Sequence, residues 1–73
     1  MVTEKELNNL KYCRKISKGH YSDYCKYDII CENGVWSLWE FSEVDGELIE
    51  KIVDIESIEH FKEIYELIEG ETL

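Results

Sequence analysis

The chain has no alanine, proline or glutamine and a single arginine, Arg14, while isoleucine, lysine, glutamate and tyrosine are abundant. The missing types are mostly those with GC-rich codons, a usage expected of an AT-rich bacterial or phage genome. Three cysteines are present, Cys13, Cys25 and Cys31, with no C-x-x-C spacing, so neither a zinc ribbon nor a thioredoxin-like motif has support. If Cys25 and Cys31 share a strand, six steps at ~3.3 Å separate them by roughly 20 Å, too far for a disulfide or a shared metal. All three are read as reduced thiols. No apolar run approaches the ~18–20 residues that cross a bilayer. The N-terminus Met1-Val2-Thr3-Glu4-Lys5-Glu6 lacks the basic and apolar regions of a signal peptide. A cytoplasmic location is expected. The sequence also lacks a G-x-G-x-x-G or Walker A loop and an H-E-x-x-H pattern, which removes the usual signatures of nucleotide and zinc binding; no cofactor or metal is expected.

What remains is a chain of 73 residues, read as one domain, 1–73. A domain of this size buries only about 60% of the surface exposed by its unfolded chain, and its core rarely supplies more than roughly 3–5 kcal/mol. With disulfide and metal set aside, a partner subunit is the expected source of further stability. The hydrophobic fraction of 44% is that of a folded chain rather than a disordered one.

Charge is divided along the sequence. Residues 11–27 carry a balance of +4 and residues 28–73 a balance of −12, within a total of −9. A net charge of this sign repels nucleic-acid phosphates and anionic lipid, so neither a membrane partner nor direct nucleic-acid binding is expected. The basic stretch nevertheless interleaves Lys11, Arg14, Lys15, Lys18 and Lys26 with Tyr12, Tyr21 and Tyr24, a combination able to stack bases and contact phosphates. Plain surface decoration is the simpler reading.

Thr3-Glu4-Lys5-Glu6 reads as a capping box with Thr3 as N-cap, and Val2 and Leu7 stand where a hydrophobic staple belongs. A short helix over 4–11 follows. Residues 17–23 read as a loop, and 12–16 as a short strand or an irregular link. Tyr24 to Glu32 reads as a strand that ends at Asn33-Gly34, a hairpin signal. Val35 to Glu43 is a second strand, Asp45-Gly46 a second tight turn, and Glu47 to Ile55 a third strand. Ser57 is placed as the N-cap of a helix over 58–69, in which Ile58, Phe61, Ile64, Tyr65 and Ile68 recur at helical spacing, with Gly70 as its stop. The expected fold is α+β: a three-stranded antiparallel meander backed by the C-terminal helix, with a short N-terminal helix.

Cross-strand pairs, each contributing roughly 0.2–1 kcal/mol, favour one register. A three-residue loop, Glu32-Asn33-Gly34, sets Tyr27 against Trp39 and Lys26 against Glu40. A two-residue turn at Asp45-Gly46 then sets Glu40 against Lys51, completing a Lys26–Glu40–Lys51 ladder. In that register one sheet face carries Cys25, Tyr27, Ile29, Cys31, Val35, Trp39, Phe41, Leu48 and Ile52, and the other carries Ile30, Trp36, Leu38, Ile49, Val53 and Ile55. Both faces would be apolar, with helix enough to cover one. The face bearing Trp36, Leu38, Val53, Ile55 and Ile30 is therefore the expected homodimer interface.

The candidate chemical groups have plain alternatives. Cys25 or Cys31 with His20 would make a thiol–imidazole pair, but no third group orients it, and buried free cysteines on strands are common. His60 falls in the first turn of a helix and reads as a surface residue. Paired carboxylates are too frequent to single out without a cleft. No catalytic residue is assigned, and the chain is read as non-enzymatic. The acidic outer face of the last helix, Glu59, Glu63 and Glu66, is either a solvated surface or a mimic of a phosphate array.

The order short helix, three-strand meander and C-terminal helix, spanning Tyr24 to Glu69 for its main elements, resembles the Yopt-like family of small prophage proteins of unassigned function. The resemblance lies in element order and implies a homodimer of three-stranded, one-helix subunits. The expected function is a small acidic protein-interaction module with an accessory or regulatory role, acting on itself and on a host protein; the alternative is an acidic inhibitor that mimics nucleic acid.

Overall fold

A computed structural model describes residues 1–23, 26–42 and 44–69, with the side chain of Glu69 excepted. The order is α1 (Glu4–Asn8), β1 (Arg14–Ser17), β2 (His20–Ser22), β3 (Tyr27–Glu32), β4 (Val35–Ser42), β5 (Glu47–Ile55) and α2 (Ile58–Glu69). The five strands form one antiparallel sheet in the order β1-β2-β3-β4-β5. The fold is α+β as expected, but two strands larger than the expected meander.

Both helices begin as their sequences dictate. The Glu6 amide donates to Thr3 Oγ1 (3.2 Å) and the Thr3 amide donates to Glu6 Oε1 (3.0 Å), the reciprocal bonds of a capping box. α1 stops at Asn8, short of the expected 11, and Val2 and Leu7 are both buried. In α2 the His60 amide donates to Ser57 Oγ (3.1 Å), while His60 Nδ1 accepts from the Glu56 amide (3.2 Å). His60 thus acts as a second cap on the first turn. Gly70, the expected stop, lies outside the described residues, as do Tyr24, Cys25 and Glu43.

The β3–β4 register differs from the expected one, and the turn explains it. Glu32 pairs with Val35 across a two-residue connection in which Asn33 and Gly34 both have positive φ, 52° and 79°. That is the signature of a type I′ turn, whose twist matches that of the flanking strands. Tyr27 consequently faces Glu40, Asp28 faces Trp39 and Cys31 faces Trp36. Ser42 pairs with Glu47, so the next connection is longer than two residues, and Lys51 faces Trp39 rather than Glu40. The Lys26–Glu40–Lys51 ladder does not form.

A one-residue shift moves a whole strand's side chains to the other face. Here it merges the two apolar sets. Tyr21, Ile29, Leu38 and Val53 form one cross-strand row, and Cys31, Trp36 and Ile55 another. Most of these residues, with Val2, Leu7, Cys13, Ile58, Phe61 and Tyr65, form a single core, so both helices contribute to the same layer. The opposite face carries the rows Ser22–Asp28–Trp39–Lys51 and His20–Ile30–Ser37–Asp54. It is mostly polar in these two rows but also carries Val35, Phe41 and Leu48, so the apolar residues are concentrated on the core face rather than divided evenly as expected.

β1 takes the strand alternative offered for residues 12–16, and β2 arises where a loop was expected. Ser17 pairs with His20 across Lys18-Gly19, with Gly19 at φ 77°. Glu4 of α1 fastens this hairpin: Oε2 accepts from the Gly19 amide (2.7 Å) and Oε1 from Lys15 Nζ (2.9 Å). The Lys15 bond, then the Gly19 amide, holds the Glu4 carboxyl below the usual carboxylate range. A lowered carboxyl pKa contributes stability above its unfolded value and loses it as pH falls through the folded one. The Gly19 amide resonance should therefore titrate with a midpoint below that of a free glutamate, and Glu4→Gln should abolish the titration. Leu38, fully buried, should cost about 2–5 kcal/mol when changed to alanine, while Leu67→Ala on the exposed side of α2 should stay within about 0.5 kcal/mol; urea unfolding measures both.

Candidate functional site

The residues expected to form an interface do not share a surface. Trp36, Leu38 and Ile55 are buried within the chain, Val53 is half-buried against the same core, and Ile30 lies on the opposite face. Trp36 meets the ring of Tyr21 edge-on at 5.9 Å. Trp39, expected inside, sits half-buried on the polar face, opposite Asp28.

Exposed apolar side chains are scattered at Met1, Val35, Val44, Leu67 and Ile68, and a further group lies on the two edge strands, three of its members at bulges. On β5, Val53 pairs with Leu38 and Lys51 with Trp39, leaving Ile52 as an extra residue; Glu50 pairs with Glu40 and Leu48 with Phe41, leaving Ile49 as another. A β-bulge adds one unpaired residue to a strand, bends it and re-aims its side chains. Ile49 and Ile52 are 57% and 41% exposed, and Leu48 beside them is 41% exposed. β1 repeats the device: Lys15 pairs with Tyr21 and Ser17 with His20, so Ile16 is extra, and it is 47% exposed. Sequence reasoning missed this group because alternation alone puts Ile49 and Ile52 on opposite faces of a regular strand.

The acidic face is placed as expected. Glu59, Glu63 and Glu66 are all exposed on α2, about one helical turn apart. Of the tyrosines in the basic stretch, Tyr24 lies outside the described residues. Tyr21 is buried, and Tyr12 stacks on Tyr65 with centroids 4.8 Å apart. The Tyr12 hydroxyl is buried without a hydrogen-bond partner; burial first, then the charges of Cys13 and Glu66, pushes it up to about 12. Lys11, Tyr12, Arg14, Asp23 and Tyr65 line an open pocket of about 460 Å³. Within it Asp23 is committed to the fold, accepting from the Tyr65 hydroxyl (2.7 Å) and from the amides of Lys26 and Tyr27.

His20 and Cys31 are not brought together. His20 shares a face with Ile30, and Cys31, one residue on, points to the core side with Trp36. Cys13 is buried with its thiol donating to the Leu7 carbonyl (3.5 Å), and burial, then the charge of Asp23, pushes it up to about 11; the thiolate that nucleophilic chemistry needs is disfavoured. Among the described residues no group of three His, Cys, Asp or Glu is placed to hold a metal ion, and no helix is long and apolar enough to cross a membrane.

One polar pair was not foreseen. His20 Nε2 lies 2.6 Å from Asp28 Oδ2, with side chains 33% and 5% exposed. The other Asp28 oxygen is buried without a partner. The imidazole is thus the recorded hydrogen-bond partner of a buried carboxylate, and it ties β2 to β3 on the polar face. No family model, curated protein or solved structure matches the chain.

Removing the imidazole leaves Asp28 buried with neither oxygen satisfied. His20→Ala should cost about 1–3 kcal/mol, and adding Asp28→Asn should recover part of the loss by removing the buried charge. Denaturant midpoints of the two variants read this directly; equal stability of His20→Ala and the parent would show that the pair contributes nothing.

Proposed function

We propose that the protein is a non-enzymatic interaction module, a small acidic accessory or regulatory protein of a phage or other mobile element, which self-associates as a homodimer through side chains displayed by β5. The observation that carries this reading is the pair of bulges that turn Ile49 and Ile52 out of the ladder, three residues apart, beside exposed Leu48. Bulges of this kind are specific features of a strand rather than accidents, and exposed aliphatic groups lying together are typical of contact surfaces. The interface expected around Trp36 moves accordingly to β5. Its size deficit gives the chain a reason to associate, because a small core leaves little stability in reserve.

A second reading has its own support in the exposed row Glu59, Glu63 and Glu66. That face would occupy a basic, nucleic-acid-binding groove on another protein, and such a contact weakens as salt rises.

Sedimentation at high micromolar concentration tests the first reading. The parent should run as a dimer and remain so in high salt, and the double variant Ile49→Ser, Ile52→Ser should run as a folded monomer. A monomeric parent would remove the proposal.

A further inference from the structure

Both edges of this sheet carry bulges, and the three extra residues, Ile16, Ile49 and Ile52, are all isoleucines and all exposed. The β3–β4 ladder inside the sheet pairs without interruption from Tyr27–Glu40 to Glu32–Val35. The interruptions are therefore placed where a neighbouring strand would otherwise add. We propose that these bulges are an edge-closing device that stops the sheet of one copy from pairing with the sheet of a second copy.

The physical need is plain. An open edge presents a row of unpaired amide and carbonyl groups, a template for another strand. β5 is nine residues long, longer than the usual strand of five or six. Its aliphatic content would make a flat version a strong site for strand addition. A bulge leaves one residue unpaired and increases the local twist, so an incoming regular strand would fall out of register after three residues.

Charge raises the stakes for this chain. β1 contributes Arg14 and Lys15, and β5 contributes Glu47, Glu50 and Asp54 against Lys51. The two edges attract each other between copies, and joining β1 of one copy to β5 of the next leaves an open β1 and an open β5 at the ends. Such a head-to-tail contact grows without closing. Closing the edges confines association to side-chain contacts, which can close as a pair.

The inference stands apart from the functional reading, because it concerns what the edges prevent. Its test deletes residues rather than changing side chains. Removing Ile49 and Ile52 together restores one-to-one pairing with β4 and leaves every other β5 residue opposite its present partner. The shortened chain, checked for fold by circular dichroism, should at least double its weight-average mass at high micromolar concentration relative to the variant Ile49→Ser, Ile52→Ser, which lacks the same two side chains. Adding the deletion of Ile16 should give open-ended growth, with thioflavin binding, that high salt reduces. The variant Ile49→Ser, Ile52→Ser keeps the extra residues and should not grow.

A folded double deletion with the mass of the variant Ile49→Ser, Ile52→Ser overturns the proposal, as does a parent that itself grows without limit. If the double deletion does not fold, the deletion of Ile16 alone asks the same question at the opposite edge, where a rise in mass supports the device and an unchanged mass overturns it. Failure of the functional reading has a different signature: a parent that is monomeric while the deletions still assemble.

Discussion

The structure depends on the two-residue turn at Asn33-Gly34. Both residues adopt positive φ, a geometry open to asparagine and glycine at small steric penalty. With Glu32 opposite Val35, the parity of β3 relative to β4 is fixed, and Ile29 and Cys31 fall on the side of Leu38 and Trp36. The competing three-residue loop would gain an ion-pair ladder and aromatic pairs at roughly 0.2–1 kcal/mol each. It would also divide the apolar residues between two faces and leave one uncovered. Burying a large aliphatic or aromatic side chain is worth about 1.5–3 kcal/mol, and Trp36, Leu38 and Ile55 are all buried in the observed register. Core formation outweighs the ladder.

The face left without a helix is managed by polarity. Ser37 Oγ donates to Asp54 Oδ1 at 2.9 Å, and Lys51 Nζ lies 3.1 Å from the same oxygen. These bonds hold the Asp54 carboxyl below the usual carboxylate range, Lys51 acting more strongly than Ser37. Across the sheet His20 Nε2 lies 2.6 Å from Asp28 Oδ2. A two-layer arrangement follows, with one core between sheet and helices and a hydrogen-bonded outer face, which is the ordinary solution for an antiparallel sheet with one side in water.

The features legible in the sequence are those written in short, local codes. Thr3-x-x-Glu6 fixed the start of α1, Ser57 and the spacing of Ile58, Phe61 and Tyr65 fixed α2, and Asn33-Gly34 announced its hairpin. The acidic face follows directly from helical spacing. β1 and β2 were hidden because Arg14–Ser17 and His20–Ser22 are too short and too polar to show alternation. They exist because Glu4, eleven residues before Lys15, reaches both strand and turn. The register error is more instructive. The Asn-Gly pair specifies a two-residue turn, and that local preference outweighs a sum of surface pairs in setting the register. Bulges are the least legible feature, since an extra residue preserves composition and is visible only against its partner strand.

Those bulges change what the exposed isoleucines mean. Without them the conclusion would be a greasy edge, and a greasy edge on a long strand is a liability. With them, each exposed isoleucine of the sheet stands where backbone pairing is interrupted, so exposure of the side chain and protection of the backbone have one cause. A chain of 73 residues has too little core to bury every aliphatic residue it carries. Placing Ile16, Ile49 and Ile52 at bulges keeps the ladder inside the sheet regular, keeps the edges unsuited to strand addition, and leaves a small apolar surface for which contact through side chains is the available route.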